Sequence, residues 1–486
     1  TRPLWGVQLN YVGSLFRNDY TSYTWDNPLS LGATDSTTNA RVNRAQFAAP
    51  PDNVAHTFTG TGSVALPLRT RISGTFAYTL LRQDETFVLN TLNRALPRTN
   101  LDDSGADSPD AKHDVILANI VATSRPINSV TATARYRYFE YQNRNPVRTF
   151  SRSDPEGFAV QTHETLQEGF RKQNASFDLG WRPIRPISLK GGYEFEHWNR
   201  GDREVSSTDE HIGKFSADLT PSDWFLGRVT YRYGSRTVGN YIPPGRTAAT
   251  ADSLIGELPQ LRKFDEADRR LNKLDVLAQF SPWETLTPSV NFGYALEDYH
   301  RSAYGLTKSE YWSAGAGLGW SPAPWLNVSA DYTYEQYHYT QVNRYRPVVS
   351  SIPAGSPCIA TLRAPAPAAP SYNLDCVQND WDTRNRDHFH TVGLMFDFDI
   401  VPKRFSVSLG YALSYGETII KSANLGTPAV ATTGSAAGVA SAAATDRDKV
   451  QNLLQTVKLV LKYNLTKSLS ARLGYAYERY TEKDFA

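Results

Sequence analysis

The chain has 486 residues, with 51 Lys and Arg against 49 Asp and Glu, and it is rich in Tyr (27), Phe (21) and Trp (10) with a single Met. So even a balance of charge excludes the basic footprint of a nucleic-acid partner. A mean hydropathy of −0.46, with no apolar run near the ~18 residues a spanning helix needs, excludes a helical membrane protein.

No basic, apolar leader opens the chain at Thr1, so any signal peptide is expected to lie outside these residues. Strands are then expected near 4–16, 56–66, 71–83, 113–124, 129–142, 173–182, 187–200, 210–220, 225–235, 271–281, 286–299, 308–321, 326–336, 387–400, 405–417, 450–464 and 468–480. Short turns join them in pairs. They read Leu66-Pro67-Leu68-Arg69, Arg125-Pro126-Ile127-Asn128, Arg182-Pro183-Ile184-Arg185-Pro186, Pro221-Ser222-Asp223-Trp224, Pro282-Trp283-Glu284-Thr285, Pro322-Ala323-Pro324-Trp325, Val401-Pro402-Lys403-Arg404 and Asn464-Leu465-Thr466-Lys467. Proline suits such turns because it fixes φ and donates no hydrogen bond. The intervening segments 17–55, 84–112, 143–171, 236–269, 337–386 and 418–448 are long and polar, with shorter ones at 201–209 and 300–307. Loops this long are unexpected in a compact soluble domain. Short turns at one rim and long loops at the other mark an outer-membrane barrel, with the long loops extracellular and the short turns periplasmic.

The strands alternate with period two. Val130, Ala132, Ala134, Tyr136 and Tyr138 share one register, and Thr131, Thr133, Arg135 and Arg137 the other. Segments 225–233 and 326–335 repeat the pattern. Their length, about 10–13 residues, exceeds the five or six typical of soluble strands and suits a tilted membrane crossing. The apolar register is assigned to lipid, since an Arg at mid-bilayer costs roughly 2–4 kcal/mol. Tyr136, Tyr138, Tyr231, Tyr233, Tyr332 and Tyr334 are expected in one aromatic girdle, and Trp224, Trp283 and Trp325 in the other. The lumen register carries Arg135, Arg137, Lys190, Glu194, Glu196, Arg228, Arg232, Asp331 and Glu335, with Gly315, Gly317 and Gly319 leaving room for an enclosed partner. Mixed signs there suit a wide wet lumen or one holding a polar protein.

The expected fold is therefore all-β: a large transmembrane antiparallel up-and-down β-barrel, a single outer-membrane domain over residues 1–486. Seventeen strands are read, an even total is expected, and an open edge in lipid is not viable. The chain is thus expected to be truncated, at both ends.

Chemistry beyond the wall is sparse. Cys358 and Cys376 fall in one polar, Pro-rich loop and form a disulfide candidate fitting an oxidising compartment. His388 and His390 share a strand face and read as rim residues rather than metal ligands, and Glu196-His197 and Glu210-His211 are expected to face one another across a short loop. The acidic run from Asp102 to Asp110 offers oxygens of the kind calcium takes, but lacks EF-hand spacing and reads more simply as a solvated loop. Residues 429–445 read as low-complexity loop. No Cys-x-x-Cys-His occurs, so the chain attaches no c-type haem, and no nucleophile–base set or cofactor site is legible.

Gly13-Ser14-Leu15-Phe16-Arg17-Asn18-Asp19 with Thr24-Trp25-Asp26-Asn27-Pro28 resembles the decahaem-associated outer-membrane barrels of the MtrB/PioB type. Gly192-Tyr193-Glu194-Phe195-Glu196, Arg203-Glu204-Val205 with Glu210-His211, and the Pro221 to Trp224 turn leading into Val229-Thr230-Tyr231-Arg232-Tyr233 are similar to that family too. The resemblance implies a barrel of about 26 strands that sheathes a periplasmic multihaem c-type cytochrome, in some members with a surface multihaem cytochrome beside it. The haem c of such an electron conduit belongs to the partner, and the barrel is not an enzyme. The competing expectation is a diffusion or substrate-selective porin gated by its long loops.

Overall fold

The protein is described from a computed structural model covering residues 4–26, 44–89, 92, 99–152, 161–242, 258, 260–345, 348–349, 359–362, 372–375, 377–425 and 444–484. One sheet dominates it. The wall strands are β1 (Trp5–Phe16), β2 (Asn53–Leu66), β3 (Thr70–Gln83), β4 (Ala111–Ile127), β5 (Val130–Asn143) and β6 (Phe170–Ile184). They continue as β7 (Ile187–Arg200), β8 (Ser207–Ser222), β9 (Phe225–Val238), β10 (Arg269–Phe280), β11 (Leu286–Asp298) and β12 (Tyr304–Ala323). The last five are β13 (Leu326–Arg344), β14 (Asp380–Val401), β15 (Phe405–Asn424), β16 (Val450–Asn464) and β17 (Ser470–Lys483). Each pairs antiparallel with the next, so all seventeen expected strands stand in sequence order as an up-and-down meander. An eighteenth, two-residue strand of this sheet, Leu261–Arg262, lies parallel to Tyr304 and Gly305. Among the described residues no ladder joins β1 to β17, so the sheet is open between them.

The prolines have a definite place. Pro126, Pro183, Pro221 and Pro322 each fall inside a register shift immediately before a short turn. A residue without an N–H cannot continue the ladder, and the slip occurs where the strand is about to reverse. At the first turn Leu68 and Arg69 take φ of 59° and 51°, the left-handed pair of a tight hairpin.

The register separates two faces. Val229 stands between Ala217 and Val276, and Tyr332 between Ala316 and Val392. Tyr136, Val229 and Tyr332 remain 39%, 45% and 42% exposed, so they form no dry core and look outward. In an outer-membrane barrel that outward medium is lipid. Toward the short turns this face ends in exposed Trp224, Trp283 and Trp325, joined by Trp181 and Trp320. The other face is concave: one cavity of about 1200 Å³ is lined from Leu271 on β10 round to Thr418 on β15.

Several strands run past their expected ends. β13 reaches Arg344 rather than 336, β14 starts at Asp380 rather than 387, and β15 reaches Asn424 rather than 417. Above the lipid both faces are wet, so backbone pairing continues without the apolar alternation by which sequence marks a strand. The outward register there is charged. Arg82 and Arg144 meet Asp114 at 2.9 and 3.1 Å, Arg171 meets Glu140 at 3.2 Å, and His197 meets Asp209 at 2.6 Å.

Candidate functional site

The candidate site is the concave polar face. Every lumen residue expected from sequence lies on it, as the ladder partners show. Arg135 is opposite Ser176, Arg137 opposite Asn174, Lys190 opposite Ser216, and Arg228 opposite Asp218. Many of these charges are already neutralised within the wall. Arg135 binds Asp178 at 2.5 Å, Arg228 binds Asp218 at 2.6 Å with Lys190 at 3.6 Å, and Lys172 binds Glu196 at 2.8 Å. Asn174 donates to Glu194, and Tyr311 donates to Glu335 at 3.0 Å. Arg137, Arg232 and Asp331 form no ion pair among the described residues, which leaves them available to a partner.

One stretch of this face is cationic. The register sets Lys214 opposite Arg232, and Arg232 opposite Lys273, so three cations run side by side across β8, β9 and β10. Among the described residues only Lys273 of the three forms an ion pair, with Asp275 at 3.6 Å. Like charges directly across a ladder destabilise it. The row borders a cavity of about 440 Å³ whose lining includes Arg135, Lys190, Lys214, Arg228 and Arg232 against Asp178 and Asp275.

The glycines have a more local role than the sequence suggested. A Cβ on Gly315 would collide with the Asn291 side chain, and one on Gly317 would lie 2.8 Å from Ser289 Oγ. These glycines make room for the inward side chains of the neighbouring strand. Only Gly319, whose nearest neighbour would be 3.8 Å away, leaves space open to the lumen.

At the long-loop end the concave face turns aromatic: Tyr299, Tyr311, Tyr337 and Tyr339 line the larger cavity with Lys273, Glu297 and Asp387. Over it folds the segment from Leu261 to Asp268, which sequence left as undifferentiated loop. Arg236 donates to the carbonyl of Ala267 at 2.8 Å and also to that of Phe264. Arg203 contacts Asp265 and Glu266 at 2.9 Å each, and Lys263 binds Glu204. Below them Arg269 bridges Glu210 at 2.5 Å and Glu297 at 2.6 Å. Glu266 is 0% exposed. Burial, and the neighbouring Glu204 carboxylate, push its carboxyl up to about 7. Burial alone would also raise Glu204, but the hydrogen bond from Lys263 and the proximity of Glu266 outweigh it and hold Glu204 at about 2.

This strap is therefore pH-sensitive, with a definite sign. A carboxyl whose folded pKa is raised above its ordinary value of 4.5 contributes stability in full below about 4.5, and that contribution is lost as pH rises toward 7. Amides 260–268 should exchange hydrogen more slowly at pH 5 than at pH 8 after correction for intrinsic rates. Glu266→Gln should flatten that profile and keep the strap protected at pH 8. An unchanged profile in the variant would show that another group controls the strap.

Glu196 and Glu210 do face one another, but in the ladder between β7 and β8 rather than across a loop. Their neighbours His197 and His211 point to the opposite, outward face, because adjacent residues of a strand alternate, and there they meet Asp209 and Tyr193 at 2.6 Å each. His388 and His390 also face outward, below the rim, since β14 continues past them to Asp380. They meet the Tyr334 and Tyr332 hydroxyls at 2.6 and 2.9 Å. Asp102 accepts hydrogen bonds from the Ser104 and Ala106 amides and from the Ser104 hydroxyl, capping its own turn. Among the described residues no three metal-ligating side chains gather. Cys358, Cys376 and residues 429–443 lie outside the described residues; Ile359 and Asp375, next to the two cysteines, are antiparallel partners.

Residues 2–486 match the model of a family described as outer membrane beta-barrel porin, MtrB/PioB. A curated relative, outer membrane protein MtrB of Shewanella baltica (strain OS185), is 26% identical over 335 residues, which make up 68% of this chain and 45% of that protein. Among solved structures, the FrpB iron transporter from Neisseria meningitidis (F5-1 variant) aligns over 99% of this chain and 79% of its own, at 10% identity and a TM-score of 0.44. The alcaligin outer-membrane receptor FauA from Bordetella pertussis aligns over 99% and 76%, at 13% identity and a TM-score of 0.41.

Proposed function

The chain belongs to the MtrB/PioB family of outer-membrane β-barrel porins, and on that premise we propose that its wall sheathes and positions a periplasmic multihaem c-type cytochrome, forming a conduit for electrons across the outer membrane. The observation that carries this reading is the cationic row Lys214–Arg232–Lys273 on the concave face, set above lipid-facing Val229 and Phe215 on the same strands. A row of like charges left largely unneutralised by the wall suits an acidic partner surface docked against it. The chain itself holds no haem-attachment motif, so the redox centres and the haem c belong to the partner. The barrel's part is physical. It removes the penalty of placing a polar protein in hydrocarbon, and it fixes the haems relative to donors and acceptors on either side; it performs no catalysis. A surface multihaem cytochrome at the long-loop rim would complete the path.

The test is purification of the full-length protein in mild detergent. Haem staining in near-stoichiometric amount, with low conductance in planar bilayers, is expected. Lys214→Glu with Arg232→Glu should cut haem recovery about tenfold or more while leaving the barrel in the membrane, since each reversal replaces attraction with repulsion. A colourless wild-type protein with steady open-channel conductance would instead establish the porin reading. One observation favours that second reading: the strap from Leu261 to Asp268 lies across the concave face, where a loop narrows a pore.

A further inference from the structure

On the lipid-facing side, the outward residues of β14 run Phe398, Phe396, Leu394, Val392, His390 and His388 from the short-turn end. The two histidines bond to Tyr332 and Tyr334, which marks the membrane interface on the long-loop side. The next two outward residues are Arg386 and Arg384. The register places Lys421 of β15 directly opposite Arg384, and Ile419 opposite Arg386. On the other side, β13 contributes Thr340 opposite Arg384 and His338 opposite Arg386, and Lys308 of β12 lies opposite Thr340.

Charge at this height is elsewhere balanced locally, as in the Arg82–Asp114–Arg144 and Arg171–Glu140 sets. Here it is not. Arg384 has Asp382 at 2.9 Å, while Lys308 and His338 share Glu310 at 2.8 and 3.5 Å. Arg386 and Lys421 are exposed and have no ion-pair partner among the described residues. A like-charge pair directly across a ladder is unfavourable, and Asp382 offsets Arg384 alone, leaving Arg386 and Lys421 uncompensated. An external anion would compensate them.

We propose that Arg384, Arg386 and Lys421 form a headgroup site for a phosphorylated glycolipid of the outer leaflet. The position selects the ligand. The three cations stand just beyond the Tyr–His belt, at the depth of lipid headgroups, above apolar Val392 and Leu394 that would lie along acyl chains. Arginine guanidinium groups grip phosphate oxygens in a two-pronged fashion, and Lys421 adds a point charge from the neighbouring strand. Juxtamembrane cations at this depth bind anionic lipid with additive strength. The inference rests on outer-membrane location and on which face meets lipid, so it stands whether or not a cytochrome occupies the lumen.

The test uses the full-length protein with whatever partners it retains, extracted from the outer membrane and examined by native mass spectrometry. Wild type should retain phosphorylated glycolipid. The triple variant R384Q/R386Q/K421Q should retain about tenfold less or lower still, from the per-residue contribution of surface cations. Lys403→Gln, at the opposite rim, should retain the wild-type amount. In delipidated protein, adding phosphorylated lipid A should raise the thermal midpoint, whereas the dephosphorylated form with the same acyl chains should not. Should the triple variant fail to fold, Arg386→Gln alone, which leaves no wall carboxylate unpaired, should still reduce retention several-fold. Equal retention by the variants, or equal stabilisation by dephosphorylated lipid, would overturn the assignment.

Discussion

Replacing Val229 by Arg should destabilise the barrel by about 2–4 kcal/mol, the penalty of a guanidinium on the lipid face near mid-bilayer. Val229 looks outward between Ala217 and Val276, with no carboxylate in its ladder row. Its neighbour Thr230 faces the wet lumen between Ser216 and Asp275, so Thr230→Arg, which adds a guanidinium beside Arg228 and Arg232 but opposite Asp275, should cost clearly less, about 1 kcal/mol. A second outward site, Phe177 between Ala134 and Tyr193, should behave like Val229, and the double variant should lose roughly 4–8 kcal/mol. Guanidinium titrations of protein folded into phospholipid vesicles measure all four. Equal losses for Val229→Arg and Thr230→Arg would show that the two faces do not differ in solvent, and the membrane orientation of the wall would fail with that result.

The second large effect concerns the charge cluster beneath the strap. Arg269 bridges Glu210, which is buried, and Glu297. Truncating it to Met preserves much of the stem but leaves the Glu210 carboxylate unpaired and out of water. Breaking a buried ion pair from one side costs about 3–5 kcal/mol. The expected loss is near the lower end, about 3 kcal/mol by the same principle, because Glu297 is only half-buried. Adding Glu210→Gln to Arg269→Met should restore most of it, since a neutral amide tolerates the site far better than a lone carboxylate. A double-mutant cycle by denaturant unfolding checks this. Simple additivity of the two losses would mean that the bridge contributes nothing beyond its separate side chains.

Together these features divide the wall by height. Across the lipid, the outer face is apolar and the inner face carries charges that the wall only partly neutralises. At the long-loop end the pattern changes: Tyr311, Tyr337 and Tyr339 turn inward while charged pairs turn outward. An aromatic patch on the inner face at this level, roofed by a strap whose buried Glu266 is neutral in mild acid, gives this part of the lumen mouth a different chemistry from the shaft.

By itself the sequence determined the crossing strands, their order, their short turns and which register meets lipid. The reason is that hydrocarbon tolerates neither an unpaired backbone group nor a charged side chain, so period-two alternation is enforced residue by residue wherever lipid is present. The inward positions of Arg135, Arg232, Glu335 and Gly315 follow from that alternation alone. Tertiary structure decided what alternation does not constrain. Beyond the membrane, water on both sides removes the pressure for alternation, so the upward extensions of β13, β14 and β15 carry no apolar signal. Ladder register, which sequence period leaves free by whole pairs of residues, brought Lys214, Arg232 and Lys273 into one row and set Arg384 against Lys421. The strap is a matter of long-range pairing as well. Arg203, Glu204, Arg236 and Glu266 come from three separate stretches of chain, and the adjacency of β7, β8, β9 and β10 in the sheet makes them neighbours.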